Sequence, residues 1–333
     1  REIIACSAGN HAQGVALAAQ QLGMKATIFI PGVAPISKIE ATKQMGANTR
    51  IVDGVYDDAY HAAVAYQKET GGIFIHPFDD EDVIAGQGSI GLELLEQMSG
   101  LDAIVVPVGG GGLISGIAFV VKMLNPACKV YGVQAVGAGS MCSSMLCKER
   151  KSLKNVSTFA DGIAVKSPGV LTYELCEKYV DEIVTVTDDE IATAILTMME
   201  QQKLVAEGAG AVSVAAVMFD KLPVKGKKVC AVVSGGNIDV NILSRVINRG
   251  LLTTGRLSEL TIEMLDKPGQ LKEVSAIIAD LGANVTQVRH NYGAENMGII
   301  GCFLHVSIET RNRKHLSDVK EAIRKAGYSI LED

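Results

Sequence analysis

Three short segments, far apart in the chain, carry residues that could together hold one small cofactor. They are Ser7-Ala8-Gly9-Asn10-His11, Gly109-Gly110-Gly111-Gly112 and Ser234-Gly235-Gly236-Asn237. Each closes an apolar, strand-like run: residues 3–6, 103–108 and 229–233. In open α/β sheets that strand end is where ligands bind. Four glycines opening a helix let the backbone approach closely and point their N–H groups at an anion, which makes a phosphate cradle. The plainer reading of such a run is a tight strand–helix turn. A dinucleotide site would want Gly-x-Gly-x-x-Gly and an acidic residue closing the next strand. Gly111 and Gly116 have a Gly-x-x-x-x-Gly spacing, but the strand from Lys129 ends in Gln134, which weighs against a dinucleotide.

The elements around these segments alternate. Strands are expected at residues 3–6, 26–30, 48–52, 73–75, 103–108, 129–134, 182–187 and 228–233. Helices are expected at 11–22, 37–45, 56–70, 80–98, 113–124, 189–202 and 212–219, with Asp188 as a cap and a break near Gly86 and Gly88. Such alternation predicts a parallel sheet with helices on both faces. After Arg256 the pattern changes. Strand 257–265, helix 270–281, strands 285–292 and 299–310, helix 314–326 and strand 328–331 give the order βαββαβ, which is ferredoxin-like. The expected domains are 1–255 and 256–333.

Composition narrows the class. The chain has 333 residues, a net charge of −6, 48% hydrophobic and 20% charged residues. No basic surface for nucleic acid or anionic membrane follows, and no apolar run reaches the ~18 residues of a membrane span. Seven dispersed cysteines suit reduced thiols in the cytoplasm and supply no zinc set.

With these segments in place, the chain resembles the pyridoxal-phosphate enzymes of fold type II, which share a tryptophan-synthase-β-like fold, and most of all the threonine dehydratases. The resemblance covers essentially the whole chain. It implies that Gly109, Gly110, Gly111, Gly112 and Leu113 hold the cofactor phosphate, that Ser234 meets the pyridine nitrogen, and that Asn10 bonds the ring's 3-hydroxyl. Ser7, Ala8, Gly9 and His11 belong to the loop that takes the substrate carboxylate; for Ser7 and Asn10 the alternative is capping of the next helix. His11 lies in the first helical turn and has no implied role in proton transfer. Glu207, in Val205-Ala206-Glu207-Gly208-Ala209-Gly210, matches a catalytic-site carboxylate, or merely favours the dipole of the helix it opens. Asp161-Gly162 matches a segment near the active site. Ala8 stands where related serine racemases carry a proton-donating serine, which favours dehydration.

The family's cofactor-linking lysine lies in a Ser-x-Lys-x-Arg-like motif upstream of the Ser7 segment. The chain begins at Arg1 inside a strand, so it is expected to be an N-terminally truncated, inactive piece of a longer enzyme. Lys38, in Ser37-Lys38-Ile39, imitates that motif but matches a different helix. Where eukaryotic racemases place metal-binding carboxylates, this chain has Gln134 and Ser140, so no metal site is expected. The terminal βαββαβ unit resembles an ACT domain, an amino-acid-sensing module. Its turn Asp266-Lys267-Pro268-Gly269 and loop Gly282-Ala283-Asn284 make Gly269 and Asn284 the expected effector-binding residues. The expected activity is dehydration and deamination of L-threonine to 2-oxobutanoate and ammonia, with L-serine as a second substrate, in a homo-oligomer (dimer or tetramer) regulated by an amino acid such as isoleucine or valine. Serine racemase, serine dehydratase and a non-catalytic amino-acid sensor are the alternatives.

Overall fold

A computed structural model of the chain describes residues 2–7, 9–32, 34, 36–54, 56–292 and 301–331, with only the backbone given for Ile36, Ser37, Lys38 and Asp57. The chain divides into two compact units, Arg1–Ile238 and Asp239–Asp333.

The first unit holds two parallel sheets. The first is built from β1 (Ile3–Cys6), β2 (Ala26–Pro31), β3 (Asn48–Val52) and β4 (Ile73–Phe74), in the order β3-β2-β1-β4. Alternate residues of these strands face opposite sides. Ala5, Ile28 and Ile30 pack with Ala12, Ala16 and Ala19 of α1 (Asn10–Gln21) and Ile39 of α2 (Ile36–Gln44). Ile4, Cys6 and Phe29 pack with Ala59 and Ala63 of α3 (Tyr56–Thr70). Burial on both faces explains why β1 and β2 read as continuous apolar runs.

The second sheet has the order β7-β6-β5-β8, from β5 (Ala103–Pro107), β6 (Lys129–Ala135), β7 (Glu182–Val186) and β8 (Val229–Ala231). One face carries Ile104, Val106 and Val130 against α5 (Gly112–Leu124), α6 (Ser140–Cys147) and α7 (Val170–Tyr179). On the strands also lies α9 (Gly208–Met218), which packs with α8 (Asp188–Gln202). Helix α4 (Glu81–Gln97) lies along α5.

Several local expectations are corrected. Helix α4 is unbroken: Gly88 and Gly91 are where it touches α5, since a Cβ on Gly88 would sit 3.1 Å from Val120 and 3.3 Å from the Gly116 carbonyl. Thr187, not Asp188, caps α8, in a capping box with Glu190. Helix α9 starts at Gly208 rather than at 212. Helices α6 and α7 fall in a stretch where no element was expected.

The second unit adds α10 (Val240–Thr253), which lies before the expected boundary at 255/256. Its C-terminal turn is tied into this unit by Arg313, whose Nε donates to the Thr253 carbonyl at 2.8 Å. Then follow β9 (Leu257–Leu265), α11 (Gln270–Asp280), β10 (Asn284–Asn291), β11 (Gly301–Glu309), α12 (Arg313–Lys325) and β12 (Ser329–Leu331). The antiparallel order β10-β11-β9-β12 is the ferredoxin-like topology. The expected start of β11 at 299 lies outside the described residues. Among the described residues, no helix is long and apolar enough to cross a membrane.

Candidate active site

Both parallel sheets grow outward in two directions from a central strand. In the first sheet, β1 lies between β2 and β4; in the second, β5 lies between β6 and β8. Chain connections leave such a strand pair in opposite directions, which opens a crevice at the carboxyl ends. The loops after β1, β4, β5 and β8 leave these two switch points. They are the Ser7–Asn10 segment, the His76–Asp80 segment, the glycine run and the Ser234–Asn237 segment.

The glycine run is packed from behind. A Cβ on Gly110 would press on the Phe78 ring at 2.5 Å, and one on Gly112 would meet the Phe78 backbone at 3.0 Å. Gly111 has φ +103° and is the N-cap of α5, a conformation that favours glycine. The N–H groups of Gly109, Gly110, Gly111, Gly112 and Leu113 donate to no acceptor among the described residues. A row of unengaged donors at a helix N-terminus is an anion site, and the helix dipole adds ~0.3–1 kcal/mol.

Glu207 is buried, 5% exposed, at the N-terminus of α9. Its Oε1 accepts from Asn10 Nδ2 at 3.1 Å, and Asn10 Oδ1 accepts from Asn237 Nδ2 at 3.0 Å. The two bonds fix the plane of the Asn10 amide and leave it one N–H and one lone pair. The backbone is equally close: the Glu207 N–H donates to the Gly235 carbonyl at 3.1 Å, and a Cβ at Gly235 would strike the Glu207 carboxylate. Gly162 links this cluster to the cradle. A Cβ on Gly162 would lie 3.5 Å from Glu207 Oε1, while one on Gly109 would lie 3.4 Å from the Gly162 carbonyl. Ser234 is exposed and bonds to no described residue.

Other expected residues are placed differently. Gly9, not Ser7 or Asn10, is the N-cap of α1; Ser7 Oγ accepts from the Gly9 N–H at 3.1 Å. His11 Nε2 donates to the Ile75 carbonyl at 3.1 Å, and burial holds its pKa below the ordinary value. Ala8 lies outside the described residues, as does the Lys38 side chain. Gln134 is fully buried and engaged at both ends, donating to the Val108 carbonyl at 3.2 Å and accepting from the Cys142 N–H at 2.8 Å. Ser140 Oγ donates to the Val165 carbonyl at 3.0 Å. In the second unit, Gly269 is the left-handed N-cap of α11, and Asn284 Nδ2 donates to Glu309 Oε2 at 2.8 Å.

Sequence reasoning did not single out Phe78, Asp79, His76 or Thr172. His76 Nδ1 accepts from the N–H groups of Phe78 and Asp79, at 3.3 and 2.8 Å, which shapes the loop under the glycines. Burial lowers the His76 pKa more than Asp79 and Asp80 raise it. The one signal available was Pro77-Phe78-Asp79-Asp80 shortly after a strand.

Comparison with known proteins places this geometry. Residues 1–235 match the family model described as pyridoxal-phosphate dependent enzyme. The chain is 50% identical over 330 residues to an L-threonine ammonia-lyase of Thermotoga maritima, covering 99% of this chain and 82% of that protein. The processed form of threonine deaminase isoform 2 from Solanum lycopersicum superposes with a TM-score of 0.71 at 39% identity, covering 74% of this chain and 73% of that one. Maize serine racemase gives a TM-score of 0.70 at 35% identity, covering 75% and 78%.

Proposed function

The chain belongs to the pyridoxal-phosphate dependent enzymes, and from that membership we propose that it dehydrates and deaminates L-threonine to 2-oxobutanoate and ammonia, with L-serine as a second substrate. The observation that carries the reading is the row of unengaged N–H groups from Gly109 to Leu113, beside an asparagine held by a buried carboxylate. The residues fit the cofactor: a cradle for one phosphate, a free hydroxyl at Ser234, and a fixed amide at Asn10.

When bound, pyridoxal phosphate supplies an electron sink that makes the α-proton of an amino acid acidic. Around it, the chain's residues bind and orient. The glycine N–H groups hold the phosphate at the positive end of α5. The remaining N–H of Asn10 is the donor for the ring hydroxyl, and Glu207 and Asn237 keep it aimed. We assign Glu207 to this orienting role. Ser234 offers the ring nitrogen a neutral partner. Ser7 and the N-terminus of α1 receive the substrate carboxylate, with Gly9 leaving room. Ala8 carries no proton for the opposite face of the substrate, which favours elimination over racemisation.

The second unit's ferredoxin-like order supports an ACT domain that binds an amino-acid effector between paired copies, at Gly269 of one and Asn284 of the other. Seven free thiols support a reducing, cytoplasmic setting, and homo-oligomerisation belongs to the same reading.

Native protein supplied with pyridoxal phosphate and L-threonine tests the proposal. We expect 2-oxobutanoate and ammonia in equal amounts. D-serine from L-serine without keto acid would make it a racemase. Amino-acid binding with no turnover would make it a sensor.

A further inference from the structure

The Gly110 carbonyl is held by two donors at the start of α7. Thr172 Oγ1 donates to it at 2.6 Å and the Gly169 N–H at 3.3 Å. Thr172 is fully buried, and its own backbone is fixed from two sides. Its N–H donates to Asp79 Oδ1 at 3.2 Å, and its carbonyl accepts from Ser115 Oγ at 3.3 Å. Asp79 Oδ2 also takes the Val170 N–H at 2.9 Å, so one carboxylate satisfies two orphan donors of the α7 N-terminus.

A trans peptide is planar, with its C=O and N–H pointing opposite ways, and no described peptide bond is cis. A Gly110 carbonyl pinned toward Thr172 therefore turns the Gly111 N–H away from α7. Gly110 and Gly111 have no Cβ to resist rotation of the plane between them. The hydrogen bonds to the Gly110 carbonyl set it instead, and the shorter of the two comes from the Thr172 hydroxyl. We infer that Thr172, braced by Asp79, is a positioning residue whose hydroxyl orients the Gly110–Gly111 peptide so that the Gly111 N–H faces the cofactor phosphate. This rests on the reading of the glycine run as a phosphate cradle. Thr172 need not touch the ligand and moves no proton; it keeps one donor preorganised.

The test compares two ligands that differ only in the phosphate. Pyridoxal phosphate and pyridoxal are titrated into native protein and variants by equilibrium dialysis and absorbance. Thr172→Val keeps the side-chain shape and removes the donor. Its affinity for pyridoxal phosphate is expected to fall about tenfold, with pyridoxal unchanged within about twofold. Thr172→Ser, which keeps the hydroxyl, restores the affinity to within about threefold of the native protein. No loss in Thr172→Val, an equal loss on both ligands, or an equal loss in Thr172→Ser overturns the inference. Should circular dichroism show Thr172→Val unfolded, Asp79→Asn carries the test, with a phosphate-selective loss of about threefold or more expected. An unchanged ligand ratio there overturns it. Native protein that binds both ligands equally would remove the cradle reading itself, and this inference with it.

Discussion

Ser234 is exposed and bonds to no described residue, which leaves its hydroxyl available to a ring nitrogen. A hydroxyl cannot hold that nitrogen protonated, whereas a carboxylate can, and the protein tunes the cofactor through such contacts. Ser234→Asp is expected to slow threonine dehydration about tenfold or more, read as 2-oxobutanoate release. A rate within about twofold of native would make the contact irrelevant. His11 and His76 give a second prediction, in stability. Burial is the largest cause in both, and it lowers both pKa values. The unfolded chain then binds more protons, so these groups cost nothing above the ordinary histidine pKa and destabilise the fold as pH falls below it. The urea midpoint is expected to drop between pH 7.5 and 5.5, and to drop less in a His11→Asn, His76→Asn double variant. An equal drop in native and variant protein would assign the loss to other groups. Polar residues just past apolar runs were legible in sequence: Asn10, the glycines and Ser234 all lie there. Phe78, Asp79 and Thr172 were not, because their partners are far along the chain. Asp79 meets Thr172 from 93 positions away, and spacing carries no trace of that contact.

The helices show what glycine means when only its surroundings decide. Gly86 and Gly116 both lie inside helices, α4 and α5. A Cβ on Gly86 would meet nothing within 4 Å. Gly86→Ala is expected to stabilise the protein by about 0.5–1 kcal/mol, through lower unfolded-state entropy and better helix propensity. A Cβ on Gly116 would lie 2.6 Å from the Gly88 nitrogen, against the α4 backbone. That backbone cannot rotate aside as a side-chain tip can. Gly116→Ala is expected to cost about 1–3 kcal/mol by overpacking. Urea melts of the two variants check both signs, and a neutral Gly116→Ala would mean that α4 and α5 separate readily. The sequence marked Gly86 and Gly88 together as a break in one helix. They differ because Gly88 lies on the α5 side and Gly86 does not, and a single sequence does not record which face meets a neighbour. The residues of α7 went unread for a similar reason. Its N-terminus is capped by Asp79 from another loop rather than by a side chain of its own.

At the scale of the whole molecule, strand alternation announced parallel pairing with helices on both faces, and the late switch to βαββαβ announced a separate ferredoxin-like unit; that the parallel strands divide into two sheets was not legible. Strand order was not legible: nothing in residues 103–108 says that β5 is central, yet that position puts Gly109 at a switch point. The second unit leads to the last prediction. The unit Asp239–Asp333 has its own core, from Leu260, Ile262 and Val274 to Val319 and Ile323, while the cradle, Asn10, Glu207 and Ser234 all belong to Arg1–Ile238. If the unit is the ACT domain proposed above, it acts on rate through binding equilibria. An effector shifts them only if it binds one global state better than another, and a coupling of ~1–3 kcal/mol corresponds to ~5–150-fold in affinity. Gly269, with φ +99°, leaves open backbone at the start of α11. Asn284 spends one donor on Glu309 and keeps its second N–H and its Oδ1 lone pairs. Asn284 lies level with Leu257 through Glu309, while Gly269 follows Leu265 at the other end of β9, so one amino acid meets both only where a second copy of the chain supplies one of them. Calorimetric titration of native protein with isoleucine and valine should show binding, and the threonine saturation midpoint should move by at least about fivefold at saturating effector. Gly269→Ala and Asn284→Ala should each weaken that binding while leaving effector-free turnover unchanged. Absence of binding at millimolar effector, together with unchanged threonine kinetics in a chain ending at Ile238, would leave the second unit without a regulatory role.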